Sequence, residues 1–187
     1  MKGKVNSRPR VHLLLLTKQF DPEVLVVLDQ IVRLLEGQPG LFEYYFSDTT
    51  NIERFATLRT SANAILFQTA EHEKLIDYIL TIGGDGTILF AAGHFQNRAV
   101  PPIISFAKGT VGFLCNFDLH ELEGIITGVV ETAVGKRTFL PKMLETKMRL
   151  MCTLSGHGKQ SHYHCFNEIA VQKAEISHQV RLEVYIG

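Results

Sequence analysis

The feature of the sequence that most constrains its fold is a series of short apolar runs, each followed by a loop and often by a helix-like segment. The runs lie at 11–16, 42–46, 65–68, 78–82 and 102–106. An uninterrupted apolar run of strand length is typical of a strand buried on both faces, as in a parallel sheet. Because strand, loop and helix units connect parallel strands, the sequence predicts an α/β fold built on an open parallel sheet.

Helix signals fall between these runs. Asp21 can cap the first free amides of a helix, Pro22 is tolerated at its first position, and an apolar stripe with helical spacing follows. The segment 88–95 is a second helix candidate. Asp118 and Glu121 have the spacing of a capping box, which predicts a helix that continues to about residue 130.

The pattern changes after residue 140. Segments 148–154, 163–166 and 180–186 indicate strands without helices between them, and a Ser-Gly-His-Gly turn follows the first. The first ten residues are basic and contain little apolar content, so we expect a flexible leader there. The predicted organisation is therefore a leader at 1–10, an α/β domain at 11–140, and at 141–187 the beginning of a β-rich domain that is incomplete.

Composition excludes several classes of protein. The 187 residues include 19 basic and 19 acidic side chains, so no charge excess attracts nucleic acid or an anionic membrane. No window reaches the roughly 18 consecutive apolar residues of a membrane span. The three cysteines form no CxxC pair and are odd in number, which favours a reducing compartment. We therefore expect a cytoplasmic protein with neither a nucleic-acid nor a membrane partner.

The segment Gly83-Gly84-Asp85-Gly86-Thr87 directly follows the apolar run 78–82. Its glycines let the backbone approach a ligand closely, and its amides favour anionic oxygens. Open α/β sheets bind ligands at this end of their strands. A carboxylate here would repel phosphate, so it indicates a hydroxyl to be deprotonated or a metal to be held. The competing interpretation is a Gly/Asp turn in which the aspartate caps the next helix.

Four segments, in order, resemble the NAD kinase family, in its eukaryotic form. They are the glycine loop 83–89, the pair of segments 101–106 and 109–114, the segment 145–150, and Asn167 to Val171. The resemblance covers residues 78–187 well and the first strand and helix loosely. It implies an α/β nucleotide-binding domain followed by the start of an NAD-binding domain. It also implies an enzyme that transfers the γ-phosphate of ATP to the 2′-hydroxyl of the adenosine ribose of NAD, giving NADP.

The same resemblance implies roles for single residues. Asp85 would be the catalytic base for the 2′-hydroxyl. The residues that would bind nucleotide are Gly83, Gly84, Gly86, Thr87, Gly109, Phe113, Asn167 and Glu168. Asn167 and Glu168 offer hydrogen-bonding groups that suit a vicinal diol. Two alternatives stay open: Asn167-Glu168 as a solvated strand edge, and Phe113 as a core aromatic.

Cofactors and partners follow from the same family. ATP is the expected phosphate donor, Mg²⁺ is expected to neutralise its charge, and no residue of the chain is assigned as a metal ligand. NAD and further copies of the chain are the expected partners. In the family, a second Gly-Asp-Gly segment and a Thr-Pro-Thr-Gly-Ser-Thr-Ala-Tyr segment follow the Asn-Glu pair and complete the NAD site, and neither follows Asn167-Glu168 in these 187 residues. We therefore expect little or no activity from this chain alone.

Several features leave alternatives open. Lys108 stands where the family usually has an apolar residue, and it could contact a phosphate or be a solvated loop lysine. The cluster His157, His162, His164 and Cys165 could hold zinc, although a hairpin with exposed histidines explains it better. A lipid kinase of the diacylglycerol or sphingosine type shares the glycine loop, but an Asn-Glu pair usually follows it there, where Ile-Leu-Phe stands here. A non-catalytic nucleotide-binding chain is the third possible function.

Overall fold

The computed structural model describes residues 10–18, 21–58, 64–109, 112–136, 144–172 and 181–186, without the side chains of 54–58. The predicted leader lies outside these residues except for Arg10. The chain divides into two compact units, Met1–Lys147 and Met148–Gly187, and each is described by itself. The domain limits predicted from the sequence stay predictions.

A six-stranded sheet forms the centre of the first unit, with the strand order β3-β2-β1-β4-β5-β6. Every neighbouring pair of strands is parallel. The strands are β1 (Val11–Thr17), β2 (Phe42–Phe46), β3 (Ala64–Leu66), β4 (Tyr78–Gly83), β5 (Ile103–Ala107) and β6 (Phe117–Asp118). The predicted α/β fold with an open parallel sheet is confirmed.

Four helices of this unit lie between its strands along the chain, and a fifth follows β6. They are α1 (Pro22–Leu35), α2 (Thr49–Leu58), α3 (Thr69–His72), α4 (Asp85–Gly93) and α5 (Leu122–Ala133). Asp21 caps α1 as predicted, because its side chain accepts a hydrogen bond from the amide of Glu23. The predicted capping box of Asp118 and Glu121 is present, and one 3₁₀ turn separates it from α5.

Strand β1 shows why the apolar runs are continuous rather than alternating. Leu13 and Leu15 belong to a buried cluster that includes apolar residues of α1 and α5. Leu14 and Leu16 belong to a second cluster that includes Ala91 of α4 and Phe95, just after that helix. Because helices cover both faces of the sheet, neighbouring residues of a central strand are all buried.

The order of the strands places a crevice at the centre of the sheet. From β1 the chain proceeds outward through β2 and β3, and from β4 it proceeds outward in the opposite direction through β5 and β6. Strands β1 and β4 are neighbours, so the connections leave their carboxyl ends in opposite directions. Ligands of open α/β sheets bind in the crevice at such a point. The glycine loop directly follows β4.

The second unit contains an antiparallel hairpin of β7 (Leu150–Gly156) and β8 (Lys159–Cys165). His157 and Gly158 form its turn, both with positive φ, which is the conformation of a tight two-residue hairpin connection. The prediction of a strand at 180–186 is wrong for 181–186, which form no strand, while residue 180 lies outside the described residues. Alternating apolar residues form a strand only where another strand supplies backbone hydrogen bonds, and none in the described part of this unit does so.

None of the helices that the structure describes has the length and apolar character to cross a membrane.

Candidate functional site

The carboxyl ends of β1, β4 and β5 bring two lysines to the two sides of the glycine loop. The amide of Lys18, directly after β1, donates to the carbonyl oxygen of Ile82 at 2.9 Å. The amide of Lys108, directly after β5, donates to the carbonyl oxygen of Gly83 at 3.0 Å. The loop that follows Gly83 therefore begins between two cationic residues, each attached to β4 by a backbone hydrogen bond.

A cavity of about 560 Å³ opens at this point. Its described lining consists of Thr17, Lys18, Ser47, Gly84, Gly86, Thr87, Phe90 and Lys108. The set contains two ammonium groups and three hydroxyls but no carboxylate. Because hydroxyl, amide and ammonium groups all donate hydrogen bonds, the cavity suits a ligand that carries several anionic oxygens.

The glycines of the loop have different reasons to be glycine. A Cβ atom on Gly83 would collide with the hydroxyl of Thr87 and lie 3.3 Å from Cβ of Lys18, so Gly83 is required by packing. A Cβ atom on Gly84 or Gly86 would meet nothing within 4 Å, and neither residue has a positive φ. Gly84 and Gly86 line the cavity, so a side chain there would occupy the space of a ligand rather than clash with the protein.

The hydroxyl of Thr17 is oriented by the protein. The side-chain amide of Asn51, which is buried, donates to the Thr17 hydroxyl oxygen at 2.8 Å and to Oδ2 of Asp48 at 2.9 Å. A hydroxyl that accepts one hydrogen bond keeps its own proton available for another acceptor. Thr17 can therefore donate to an oxygen placed in the cavity.

Asp85 occupies the first position of α4, but its carboxylate does not cap that helix. Gly84 is the N-cap residue, and no side chain makes the capping hydrogen bond. Oδ2 of Asp85 accepts from the amide of Phe113 at 3.0 Å, and Oδ1 accepts from the amides of Leu114 and Cys115 at 3.0 Å and 3.2 Å. The interpretation of Asp85 as a helix cap is therefore wrong.

These three amides set the charge of the Asp85 carboxyl. Burial alone would raise its pKa, but the hydrogen bonds from Leu114, Phe113 and Cys115 outweigh burial and hold the pKa below its ordinary value. The carboxyl group is therefore ionised at neutral pH. In contrast, burial raises the pKa of the neighbouring Cys115 thiol, whose Sγ donates to the carbonyl oxygen of Gly83 at 3.7 Å, so this thiol is neutral.

Phe113 lies next to this aspartate on an exposed loop. Its side chain is 84% exposed, so the interpretation of Phe113 as a core aromatic is wrong. The ammonium group of Lys147 lies 5.3 Å from the centre of its ring, within the range of a cation–π contact. An exposed aromatic ring, on a residue whose amide donates to the Asp85 carboxylate, offers a surface on which a ligand can pack.

Lys108 is an ion-paired lysine rather than a solvated loop lysine. Its ammonium group contacts Oδ1 of Asp21, the capping residue of α1, and lies 3.0 Å from Oε2 of Glu23. The hydrogen bond to Asp21 raises the pKa of Lys108, and the same contact lowers the pKa of Asp21. Both groups are therefore charged at neutral pH.

The structure brings most of the predicted site residues together in the first unit. Gly83, Gly84, Asp85, Gly86 and Thr87 form the turn from β4 into α4. Phe113 is joined to this turn through Asp85. Gly109, with φ of 95°, ends the described segment after β5, since residues 110–111 are not described.

Asn167 and Glu168 lie in the second unit, after β8, and both are exposed. Their role in binding a nucleotide stays a prediction. On β8, Nδ1 of His162 lies 3.0 Å from the hydroxyl of Thr153 on the facing strand, as in a hairpin with exposed histidines. Among the described residues, no group of three or more histidine, cysteine or carboxylate side chains is placed to hold a metal ion.

Sequence analysis did not identify four residues that line the cavity: Thr17, Lys18, Ser47 and Phe90. A signal was available for three of them. Thr17 and Lys18 lie at the end of the first predicted strand, and Ser47 directly follows the second. Because the carboxyl ends of parallel strands share one edge of the sheet, polar residues at these positions belong near the glycine loop.

Comparison with known proteins identifies the family. Residues 13–134 match the ATP-NAD kinase N-terminal domain. The mitochondrial NADH kinase pos5 of Schizosaccharomyces pombe is 27% identical over 181 residues, which cover 96% of this chain and 44% of that protein. The NAD(+) kinase of Saccharomyces cerevisiae is 27% identical, with 93% of this chain and 36% of that protein covered.

The chain thus spans less than half the length of either of these relatives. A crystal structure of yeast NADH kinase complexed with NADH has the same fold, with a TM-score of 0.69 and 21% identity over 86% of this chain and 48% of that one. The match to the family domain includes all of β2 to β6, most of β1, the glycine loop and Asp85. This chain belongs to the NAD kinase family.

Proposed function

We propose that the protein is an ATP-dependent NAD kinase, which transfers the γ-phosphate of ATP to the 2′-hydroxyl of the adenosine ribose of NAD. The observation that carries this proposal is the cavity at the glycine loop, with ammonium and hydroxyl groups in its lining and no carboxylate among the described lining residues. Membership of the family supports the acceptor, because relatives are named NAD(+) kinase and NADH kinase. It also favours this function over a lipid kinase or a non-catalytic chain.

The donor nucleotide fits the cavity by its charge. In the proposal, the glycine loop and the start of α4 bind phosphate oxygens through backbone amides. Thr17 and Thr87 add hydroxyl donors. Phe90, which is 52% exposed and lies edge-on to His94 at 4.8 Å, offers an apolar surface for a base or ribose.

The proposed Mg²⁺ enters the site with ATP. The described lining residues offer hydroxyls but no carboxylate, so phosphate oxygens and water would supply most ligands of the metal. Mg²⁺ commonly keeps several waters and binds to substrate phosphates in this way. When bound, the metal neutralises the charge that develops on the transferred phosphate.

The role proposed for Asp85 is to orient the 2′-hydroxyl and accept its proton. Oδ1 already accepts two amide hydrogens but Oδ2 only one, so Oδ2 keeps a lone pair for the substrate hydroxyl. Its lowered pKa makes this carboxylate a weak base. A weak base is adequate because the transition state of phosphoryl transfer is loose, and proton transfer can follow breakage of the bond to the leaving group.

Gly109, Phe113, Asn167 and Glu168 complete the proposed NAD site. The exposed ring of Phe113 would pack on the nucleotide, and the amide and carboxylate of the Asn-Glu pair would bind ribose hydroxyls. We also propose a homo-oligomer, since exposed apolar side chains such as Leu150 and Leu154, on one face of β7, provide a surface for association. A cytoplasmic location is proposed from the three free cysteines, all in described segments.

The test is formation of NADP from NAD and MgATP by a chain extended through the NAD-binding domain, since these 187 residues alone are expected to show little or no activity. The expected result is NADP formation that Asp85→Asn reduces by about a hundredfold or more, the range for loss of a general base. Diacylglycerol and sphingosine serve as competing acceptors in the same assay. Phosphorylation of a lipid without phosphorylation of NAD or NADH would contradict the proposal, as would nucleotide binding without any transfer.

A further inference from the structure

We propose that Lys108 binds the triphosphate of the donor nucleotide, and that the carboxylates of Asp21 and Glu23 hold its ammonium group at the edge of the cavity. This inference rests on the proposed function for the identity of the donor. The placement of the lysine rests only on the contacts described above. Lys108 would then be a specificity residue for the donor, and the two acidic residues would be positioning residues.

The first support is the position of Lys108 in the sheet. Lys18 and Lys108 follow strands β1 and β5, the two neighbours of β4. Neighbouring strands lie about 4.8 Å apart, so the backbones of the two lysines are roughly 10 Å apart with the glycine loop between them. A chain of phosphates on that loop would therefore have a cation on each side.

The second support is the number of hydrogens on the ammonium group. A lysine ammonium donates three hydrogen bonds. Asp21 and Glu23 accept two of them, and the described residues supply no acceptor for the third. Because Lys108 also lines the cavity, this third N–H is available to a phosphate oxygen without loss of either ion pair.

The third support is that one of the two positioning groups, Asp21, is itself fixed. Asp21 caps α1, and its Oδ1 accepts the backbone amide of Glu23 as well as the Lys108 ammonium. Lys108 lines the cavity and neither acidic residue does, so of these three charged groups the ammonium is the one placed to contact a ligand there. The side chain of Lys108 is only 21% exposed, which limits its freedom to leave the site.

The experiment measures binding of a non-hydrolysable ATP analogue, of ADP and of AMP to the full chain by calorimetry. Lys108→Met keeps the length of the side chain but removes its charge. This substitution should weaken binding of the ATP analogue by about tenfold or more, the value of a charge-assisted hydrogen bond. It should weaken binding of AMP less. Lys108→Arg should recover part of the affinity. Lys74→Met, an exposed lysine outside the cavity, is the control and should bind like wild type.

A second pair of variants tests the positioning residues. Asp21→Asn keeps a good helix cap while it removes the charge that holds Lys108, and Glu23→Gln removes the other charge. In the extended chain, each should raise the KM for ATP severalfold and leave the KM for NAD close to wild type, and Asp21→Asn should lower the melting temperature slightly because its ion pair with Lys108 is lost. Melting curves of all variants separate loss of folding from loss of binding.

The outcomes distinguish this inference from the proposed function. Equal affinity of Lys108→Met and wild type for the ATP analogue, with both folded, would overturn the role of Lys108 and leave NAD kinase activity untouched. Lys108-dependent binding of triphosphates without phosphorylation of NAD would support the inference and contradict the proposed function. If Lys108→Met unfolds, unchanged ATP binding and KM in both Asp21→Asn and Glu23→Gln would overturn the inference.

Discussion

A side chain on Gly112 would collide with Asp85, because a Cβ atom there would lie 2.7 Å from the carboxyl carbon and 2.8 Å from Oδ2. The same aspartate accepts hydrogen bonds from the amides of the next three residues. The absence of a side chain at Gly112 therefore lets the backbone close around the carboxylate. This contact joins the loop that follows β5 to the start of α4.

Gly112→Ala is expected to move residue 112 away from the Asp85 carboxylate. The methyl group has no room, so the loop must move and some of the three hydrogen bonds must break, at a cost of about 1–3 kcal/mol in the free energy of unfolding. Urea unfolding measures this cost. Gly124→Ala on α5 is the matched control, since a Cβ atom there meets nothing within 4 Å. Equal stability of the two variants would contradict the close approach.

Gly86→Ala should leave the stability of the fold intact and instead weaken ligand binding. Its Cβ atom meets no protein atom within 4 Å, and alanine is the better helix former by about 1 kcal/mol, so stability should be unchanged or raised. Binding of the ATP analogue should fall by at least about tenfold, because the methyl group occupies the cavity. Gly83→Ala, which collides with Thr87, should instead lose stability. Normal ATP binding by folded Gly86→Ala would show that no ligand approaches this residue.

Two phenylalanines should respond differently to truncation. Phe106→Ala empties a position that is 0% exposed, and it should destabilise the protein by about 3–5 kcal/mol. Phe113→Ala removes a ring that is 84% exposed, so thermal stability should change little while the KM for NAD rises. Melting curves and NADP formation measure the two effects. A large loss of stability in Phe113→Ala would indicate a structural role for this ring.

Excess chelator should abolish phosphate transfer, and added Mg²⁺ should restore it, because the two cavity lysines cannot neutralise a triphosphate on their own. NADP formation is the measurement, and the melting temperature in chelator is the control for folding. Undiminished transfer after exhaustive chelation would contradict a divalent metal requirement.

The fold could be predicted from the sequence because the strands are buried on both faces and their apolar runs are uninterrupted, as Leu13 to Leu16 illustrate. The position of the glycine loop at the carboxyl end of a central strand followed from the same pattern. The segment 181–186 was predicted incorrectly because alternation records which side of a strand is apolar, and not whether another strand is present to pair with it.

The contacts of the site were harder to predict, since they join residues distant in sequence. Asp85 and its three amide partners are separated by about thirty positions, and Lys108 and Asp21 by 87. Both pairs depend on which strands are neighbours, and the order of the strands is not visible in hydrophobic periodicity. Once the order is known, residues such as Lys18 and Ser47 are placed at the site by their position after a strand.

The dependence of stability on pH tests the attachment of Asp85 to its loop. Three amides lower the pKa of this carboxyl in the folded protein, so its ionised form stabilises the fold at every pH above the ordinary aspartate value of about 3.9. That contribution is lost as the pH falls through the folded pKa. Asp85→Asn should therefore cost about 1–3 kcal/mol at pH 7, and the difference from wild type should shrink below about pH 3.9.

Comparison of the variant with the wild type at each pH is essential, because the pKa values of Asp21 and Asp118 are also lowered and make the whole protein less stable in acid. Those contributions are common to both proteins and cancel in the difference. The effect of Asp85→Asn on kcat should not shrink in acid in the same way. Loss of the proposed base lowers kcat at every pH at which the protein is folded. A stability difference that stays constant down to pH 2, or a variant as stable as wild type at pH 7, would show that the carboxylate does not hold the loop.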